Sequence, residues 1–452
     1  MKSMRWTTAL GILLLAACAA PRPATAGDWP NWRGPNHNGS SSETGLPVDF
    51  SKSQNIKWSV DLPGPSGATP IIVADRVFVS SVDLKSKKLV ALCFDRKTGK
   101  KLWEDVADSG YRVRGSKSQL QLDNRSNYAS PSPVSDGKRV VFFYGNGDLV
   151  GYTVEGKKLW TKNLQQMYGD FAFQWTFSSS PTLHQGKLYM QVLQRDQPAH
   201  KRGKKGAESY LLQMDPDSGE VLIKHVRPSK AKMESLESFG TPIPHVHEGR
   251  EELIIAGGDV LTGHDPKTLK ELWRWGTWNP GHREKWWRLV PSAVTGGGVV
   301  LACAPKKQPV YAIKLGLSGT HEGDDGLVWK SKGISDRISS DVPTPAFSRG
   351  KFYVLSDVGS AISQVDPASG KIDWTTRLSR NYKWRSSPTV ADGKIYLMNH
   401  HGEVVIVNQA DGKILQSVLM GGKDADLIRS TIAVAGKNLF IRTNIKLFCV
   451  GK

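Results

Sequence analysis

The sequence is poor in cysteine, with 4 in 452 residues, which excludes a small scaffold held together by disulfides. Beyond the N-terminal segment, no apolar stretch approaches the roughly 18 residues that a membrane-spanning helix needs. The chain has no Gly-x-Ser-x-Gly, no phosphate-binding loop and no dinucleotide fingerprint, so these enzyme classes have no support. Acidic residues are the minority charge, 42 against 61 Lys and Arg, and the formal net charge of +19 favours anionic over basic partners.

The N-terminal segment, residues 1–26, is similar to an export signal, with Lys2 and Arg5 before a short apolar stretch. Two processing sites remain open. The stretch Ala-Thr-Ala at 24–26 is typical of signal-peptidase cleavage, whereas the stretch Leu-Ala-Ala-Cys ending at Cys18 resembles a bacterial lipobox, in which that cysteine is lipidated. Both predict that the folded part works outside the cytoplasm, in the periplasm or anchored to the outer membrane.

Turn residues and tryptophan are abundant, with 45 Gly, 25 Pro and 15 Trp, and they follow a repeat. Each copy begins with a Ser/Thr-Pro or related pair and passes through apolar strands with Gly-Lys turns. The openings lie about 43 to 61 residues apart. They are Thr69-Pro70, Ser130-Pro131, Ser180-Pro181, Thr241-Pro242, Val290-Pro291, Thr344-Pro345, Ser387-Pro388 and Ser430-Thr431.

The second half of most copies is a turn followed by a strand that carries Trp. These residues are expected to pack between neighbouring repeats: Trp58, Trp103, Trp160, Trp273, Trp329 and Trp374. The last repeat stops after three strands, and residues 56–60 form a strand with no repeat before it. The sequence therefore predicts an all-β, eight-bladed β-propeller of four-stranded blades, closed by the N-terminal strand completing the last blade. The propeller occupies 55–452, after an extension at 27–54.

The repeats resemble the quinoprotein-type propeller family, named for pyrroloquinoline-quinone enzymes. The best copies of its Trp-docking motif run from Leu92 to Trp103 and from Ser363 to Trp374. The stretch Asp28–Pro35 also resembles the opening of exported bacterial members. The same repeat builds the non-enzymatic lipoprotein propeller of the outer-membrane β-barrel assembly machinery, so the resemblance implies a fold and leaves enzyme and scaffold both open.

Departures from the family's enzymes favour the scaffold. Those enzymes stack the quinone between a Trp and a disulfide of adjacent cysteines, whereas Cys93, Cys303 and Cys449 are far apart here. No cofactor or metal is expected. The alternative is a dehydrogenase of alcohols or sugars that uses pyrroloquinoline quinone with calcium, and Asp341 would then be its candidate base.

A candidate ligand site lies in the loops that lead from the last strand of one blade to the first strand of the next. Five of seven such loops place Arg just before that strand, and three carry Trp. Arg binds carboxylate or phosphate with paired donors, and Trp offers a flat face. The predicted ligand-binding residues are Arg125, Asn127, Tyr128, Trp175, Trp286, Trp287, Arg288, Arg337, Asp341, Trp384, Arg385 and Arg429.

The function predicted from the sequence is an exported, non-enzymatic propeller of the bacterial cell envelope, a scaffold or binding protein. Its partner is expected to be an envelope protein, an anionic polymer or a small anionic molecule. Nucleic acid is not expected, because export removes the chain from most of it. Contact with the membrane is expected only through a lipid at Cys18, and the chain is expected to be a monomer.

Overall fold

The structure is a computed structural model that describes residues 27–422 and 427–452. The predicted export signal and lipobox therefore lie outside the described residues. Strands dominate the part that is described, which contains one five-residue helix, α1 (Leu164–Tyr168), and the short 3-10 helices Met233–Leu236 and Pro280–His282. Within these residues no helix has the length and apolar character needed to cross a membrane.

Eight antiparallel sheets form the blades, and the described strands run in chain order from the inside of each blade outward. β1 (Ile56–Asp61) comes first in the chain but belongs to the last blade. Blades 1 and 2 are β2–β5 (Ile71–Val73, Arg76–Asp83, Lys88–Asp95, Lys101–Val106) and β6–β9 (Val134–Ser135, Arg139–Phe143, Asp148–Thr153, Lys158–Asn163). Blades 3 and 4 are β10–β13 (Thr182–His184, Lys187–Val192, Tyr210–Met214, Val221–Val226) and β14–β17 (Ile243–His247, Arg250–Gly257, Val260–His264, Glu271–Gly276).

The remaining blades follow the same order, with one inserted strand. Blade 5 contains β18–β20 and β22 (Val294–Gly296, Val299–Cys303, Val310–Lys314, Leu327–Lys330), and β21 (Gly319–His321) is inserted before β22. Blade 6 is β23–β26 (Ala346–Ser348, Lys351–Ser356, Ala361–Val365, Ile372–Arg377) and blade 7 is β27–β30 (Thr389–Ala391, Lys394–Met398, Glu403–Asn408, Ile414–Leu419). Blade 8 adds β31–β33 (Ala433–Ala435, Asn438–Arg442, Lys446–Val450).

The ring closes as the sequence predicts. β1 pairs antiparallel with β33, with Trp58 opposite Cys449 and Val60 opposite Leu447. One buried apolar cluster joins strands of blades 7, 8 and 1, so the seam is packed like the rest of the core. Because β1 supplies the outer strand of blade 8, the last blade keeps no unpaired outer edge at β33.

The repeated tryptophans pack against the next blade, as expected. Trp58, Trp103, Trp160 and Trp329 each donate an indole N–H to a backbone carbonyl of the following blade, at 2.7 to 3.1 Å. Their rings lie on the turn glycine of that blade. Gly156, with φ +97°, shows why glycine is needed there, because a Cβ would lie 2.6 Å from Trp103 Cγ.

Blade 4 departs from this pattern in a way that the sequence did not predict. β21 pairs parallel with β17 and makes blade 4 five-stranded. Its tryptophan, Trp273, donates instead to Glu252 Oε2 of its own blade at 2.6 Å. The inserted strand β21 covers the outer edge of β17. In the other blades the fourth strand is the outermost one.

The N-terminal extension closes the end of the channel opposite the loops that enter the inner strands. Trp29 pairs with Ile72 of β2, and Ser40 bridges to Val390 of β27. Arg33, with no exposed surface, donates to the carbonyls of Pro345 and Pro388 in blades 6 and 7. The extension thereby links blade 1 to blades 6 and 7.

Candidate functional site

The inner strands are tied into register by a closed ring of side-chain hydroxyls. In each blade one Ser or Thr accepts the backbone N–H of the equivalent residue in the preceding blade, at 2.9 to 3.3 Å, and the eighth bond returns to the first blade. We call these residues the hydroxyl ring: Thr69, Ser132, Ser180, Thr241, Ser292, Thr344, Ser387 and Thr431. All eight are buried.

The hydroxyl ring corrects three of the repeat openings. The sequence assigned the openings to Ser130-Pro131 in blade 2 and Val290-Pro291 in blade 5, but the ring positions are Ser132 and Ser292, and in blade 8 the ring residue is Thr431, one position after the assigned start. The reason is that blade 2 contains two successive Ser-Pro pairs, whereas in blade 5 Ala293 replaces the proline after the hydroxyl residue. The structure, unlike the pattern, identifies the residue that bonds across blades.

The throat cavity is the space bordered by the hydroxyl ring, and it has a volume of about 140 Å³. Seven of the eight ring residues line it, together with Arg385 and Arg429 from the loops and Trp32 from the N-terminal extension. The aromatic residues that line this cavity are therefore Trp32 and Phe239. Trp175, Trp286, Trp287 and Trp384, the expected aromatic walls, are not among its lining residues.

Two acidic residues neutralise part of the arginine set. Arg288 pairs with both carboxylate oxygens of Asp341 at 3.0 Å, and this carboxylate also accepts the Lys306 N–H at 2.7 Å. Burial would raise the pKa of Asp341, but the Arg288 guanidinium outweighs burial and the pKa is lowered. Asp341 is therefore a bound counter-ion, poorly suited to the role of base.

Asp357 continues this network towards the throat. Its carboxylate accepts the Asp341 N–H at 2.9 Å, and Arg385 Nε lies 3.6 Å from its other oxygen. Burial raises the pKa of Asp357 to about 6, with the Asp341 charge adding to the effect. Arg385 therefore has a longer and weaker pairing than Arg288, and its guanidinium borders both the throat cavity and a neighbouring hollow lined by Arg337.

Arg429 has no carboxylate partner within the described ranges. Its Nε is buried without a hydrogen-bond acceptor there. Burial, with the charges of Arg385 and Arg125 acting in the same direction, lowers the pKa of Arg429 to about 10. An unpaired, largely buried guanidinium is costly to the fold, so this residue needs an explanation beyond packing.

The other predicted residues divide into buried and exposed groups. Trp384 has no exposed surface and its Nε1–H donates to the Ser379 carbonyl at 2.8 Å. Tyr128 is 2% exposed, and burial raises its pKa to about 12. Asn127 is engaged by the Pro65 carbonyl and the Ala129 N–H. The side chains of Tyr128, Asn127 and Trp384 are thus engaged in the fold, and their role as ligand contacts stays a prediction.

The exposed group lies around the mouth, the surface formed by the loops that lead into the inner strands. Arg125 stacks on the Trp175 ring, with Cζ 3.7 Å from the ring centroid, and Trp175 donates to Glu234 at 2.9 Å. Trp286 is 50% exposed, whereas Trp287 is packed beneath it against an apolar cluster. Trp286 is therefore the largest apolar surface that these loops offer to a partner.

Three contributors were missed by sequence reasoning. Trp32 belongs to the extension, and only folding brings it to the channel axis. Asp357 lies in a hairpin turn after β24 and gave no motif. The hydroxyl ring is visible in the sequence as the Ser/Thr of the repeat openings, and eightfold repetition of a hydroxyl at the innermost strand was the signal that could have found it.

The quinone alternative was compared with these residues. Cys93, Cys303 and Cys449 are free and buried in different strands, so they provide no stacking disulfide. Arg288 is already paired and Trp384 presents no face. The residues present do not fit a stacked tricarboxylate quinone. Calcium would need free carboxylate or amide oxygens, but the side-chain oxygens of Asn127 and Asp341 are engaged in the bonds described above.

The fold and its repeats define the class, an eight-bladed propeller built from the quinoprotein-type repeat. A family model described as outer membrane protein assembly factor BamB matches residues 50–199 and 316–450, more than half of the chain. The chain belongs to this family. The segment between the two matched ranges, 200–315, contains β14–β17 of blade 4. No match was found among curated protein sequences.

Solved structures share the architecture at low identity. A europium-containing methanol dehydrogenase has a TM-score of 0.64 at 12% identity, covering 92% of this chain and 89% of its own. BamB from Moraxella catarrhalis has a TM-score of 0.59 at 12% identity, covering 87% and 99%. A quinohemoprotein alcohol dehydrogenase from Comamonas testosteroni has 0.62 at 14%, covering 96% and 82%. At these identities the likeness establishes the fold alone.

Proposed function

We propose that this protein is an exported, non-enzymatic propeller of the bacterial cell envelope that binds an acidic partner protein through its mouth. The family description, an outer membrane assembly factor, supports an envelope role. The sequence resemblance of residues 1–26 to an export signal supports the same compartment.

The observation that carries the proposal is the character of the exposed mouth. Trp286 is 50% exposed and lies beside the exposed cations Arg283 and Lys285. Across the same face, Tyr382 is 43% exposed and is followed by the exposed Lys383. Exposed aromatics beside unpaired cations suit a partner with acidic groups around an apolar recess. The aromatic side chain would fill the recess and anchor the partner, and the cations would attract its acidic groups during association.

Cross-linking in cells tests this surface. A photo-reactive amino acid replaces Trp286, and in a matched control it replaces Leu415 on the exposed outer strand β30. We expect a discrete acidic envelope protein to be captured at position 286 and not at 415. Equal capture at both positions, or none at 286, would reject the mouth as the docking surface.

A second measurement separates the scaffold from the dehydrogenase. Pyrroloquinoline quinone and calcium are added to the purified protein, and tryptophan quenching and dye reduction with alcohols or sugars are followed. We expect neither saturable quenching nor turnover. Saturable quenching with turnover would overturn the non-enzymatic assignment. Mass spectrometry of the mature N-terminus distinguishes lipidated Cys18 from cleavage after Ala26.

A further inference from the structure

The hydroxyl groups of the hydroxyl ring have O–H donors that make no hydrogen bond among the described residues. Each of its eight oxygens accepts a backbone N–H, so the hydroxyl proton remains available for another bond. None of these O–H groups donates to an acceptor within residues 27–422 and 427–452. Seven of the eight residues line the throat cavity. The cavity is therefore surrounded by O–H donors whose oxygens are already fixed in place.

Cations lie at one end of this cavity. Arg429 lacks an acceptor for its buried Nε among the described residues, and Arg385 reaches its partner Asp357 only at 3.6 Å. His400 is 7% exposed, and its Nε2 likewise has no partner in the described structure. Burial and the charges of Arg429 and Arg385 lower the pKa of His400 to about 3, so the imidazole is neutral and relieves none of the positive charge.

Trp32 borders the cavity from the closed end. Its indole N–H is buried and has no acceptor in the part of the chain that is described. The residues that line the space thus contribute hydroxyl, indole and guanidinium donors, and no carboxylate is among them. Buried donors without acceptors are rare in folded proteins, and a shared acceptor at the centre would satisfy several at once.

We propose that the throat cavity binds a small oxoanion, held by the O–H groups of the hydroxyl ring and by the guanidinium groups of Arg429 and Arg385. Guanidinium and hydroxyl donors together match the geometry of carboxylate, phosphate and sulfate oxygens. The volume of about 140 Å³ equals the share of roughly four to five water molecules in the liquid. A single oxoanion group fits this space.

The oxoanion has two possible sources, a free ion or a carboxylate carried on a partner's side chain or C-terminus. Either would enter from the mouth, because the N-terminal extension closes the opposite end. The site goes beyond the proposed docking function, since it is measured on the purified chain alone. Its failure leaves the mouth surface untouched, and the reverse also holds.

Isothermal titration with the purified chain tests the site. Phosphate, sulfate, acetate and a short peptide ending in Glu are titrated at constant ionic strength with chloride as the background anion. We expect one saturable site for at least one of these oxoanions. Preference for phosphate or sulfate identifies a free tetrahedral ion, and preference for acetate or the peptide identifies a carboxylate. No saturable binding of any of the four would overturn the proposal.

Variants locate the binding. Arg429→Gln should weaken binding at least tenfold, on the order expected for one charge-assisted bond. Arg429→Lys, which keeps the charge, should recover part of the affinity, and Thr431→Val, which removes one ring hydroxyl, should weaken it by about threefold or more. The matched control is Arg377→Gln, an exposed cation on the outer strand β26, and its affinity should stay within about twofold. Equal losses in Arg377→Gln and Arg429→Gln would show general screening and overturn the site.

Discussion

Each end of the channel contains a buried arginine, and the two arginines differ in their hydrogen bonds. At the closed end, Arg33 lies in the N-terminal extension with three backbone carbonyls around its guanidinium, those of Asn38, Pro345 and Pro388. At the open end, Arg429 makes no hydrogen bond or ion pair with any residue of the described ranges, although the Nε atoms of both arginines are buried without an acceptor. Burial lowers the pKa of both, to about 9 for Arg33 and about 10 for Arg429.

This difference teaches which charges belong to the fold and which remain for a ligand. Carbonyl oxygens accept from both terminal nitrogens of Arg33 and link blades 6 and 7 to the extension, so its burial is part of the architecture. Arg429 brings a cost without a matching bond among the residues that the structure describes, and such groups concentrate at binding sites. Arg288 and Arg385 lie between the extremes, since each has a carboxylate partner at a different distance.

The largest effect is expected for Arg288→Met. The substitution leaves Asp341 buried with an uncompensated charge, so unfolding free energy should fall by about 3–5 kcal/mol. Denaturant unfolding followed by tryptophan fluorescence measures this. Arg283→Met, at an exposed position of the same loop, is the control and should change stability by no more than about 0.5 kcal/mol. A loss as small as that of the control would show that Arg288 is not structural.

A somewhat smaller loss is expected at the closed end. Arg33→Met removes the donors for the Pro345 and Pro388 carbonyls and leaves these oxygens buried, which should cost about 2–3 kcal/mol. The same unfolding experiment applies, with the exposed Arg377→Met as its matched control. If Arg33→Met proved neutral, the closed end would not be held by these bonds.

A pH-dependent effect is expected for Asp357. Because its folded pKa is raised to about 6 from the ordinary aspartate value of 3.8, the carboxyl stabilises the fold below pH 4, and this is lost as pH rises from about 4 to 6. Asp357→Asn should therefore gain up to about 2 kcal/mol relative to the unsubstituted chain on going from pH 4 to pH 7. The exposed Asp324→Asn should show no such gain. An unchanged difference between the two pH values would contradict the assignment.

The smallest effect is expected for Arg429→Met in the absence of ligand. Removing an unpaired buried charge should leave stability unchanged or raise it by up to about 1 kcal/mol. Arg442→Met is the sharpest contrast, because Arg442 is fully buried and donates to the carbonyls of Ser80 and Gly64. It should be destabilised as Arg33→Met is. If both variants lost the same stability, the contrast between bonded and free arginines would fail.

Much of the fold was predictable because each repeat carries the same residue types at the same turn and packing positions. The turn glycines, the tryptophans and the orphan strand at 56–60 determined eight blades and the closure of the ring. The prediction failed where the repeat is irregular. The repeat openings in blades 2 and 5 were assigned to nearby Ser-Pro and Val-Pro pairs instead of to Ser132 and Ser292. In blade 4, β21 adds a parallel strand that no local sequence pattern predicts.

The site was less predictable, and the reason is distance in sequence. From residue types alone, the mouth arginines look alike. The sequence could not distinguish Arg288, which pairs with Asp341, from Arg429, which lies 141 positions further along the chain and has no acceptor for its buried Nε among the described residues. Nor could residue types place Trp32 beside the hydroxyl ring, since that contact joins the extension to the channel.

The sequence by itself determined the strands, the turns and the number of blades, because these follow from local backbone preference and apolar periodicity. Only the tertiary structure decided which charges are neutralised, because pairing depends on which side chains the closed ring brings within hydrogen-bonding distance.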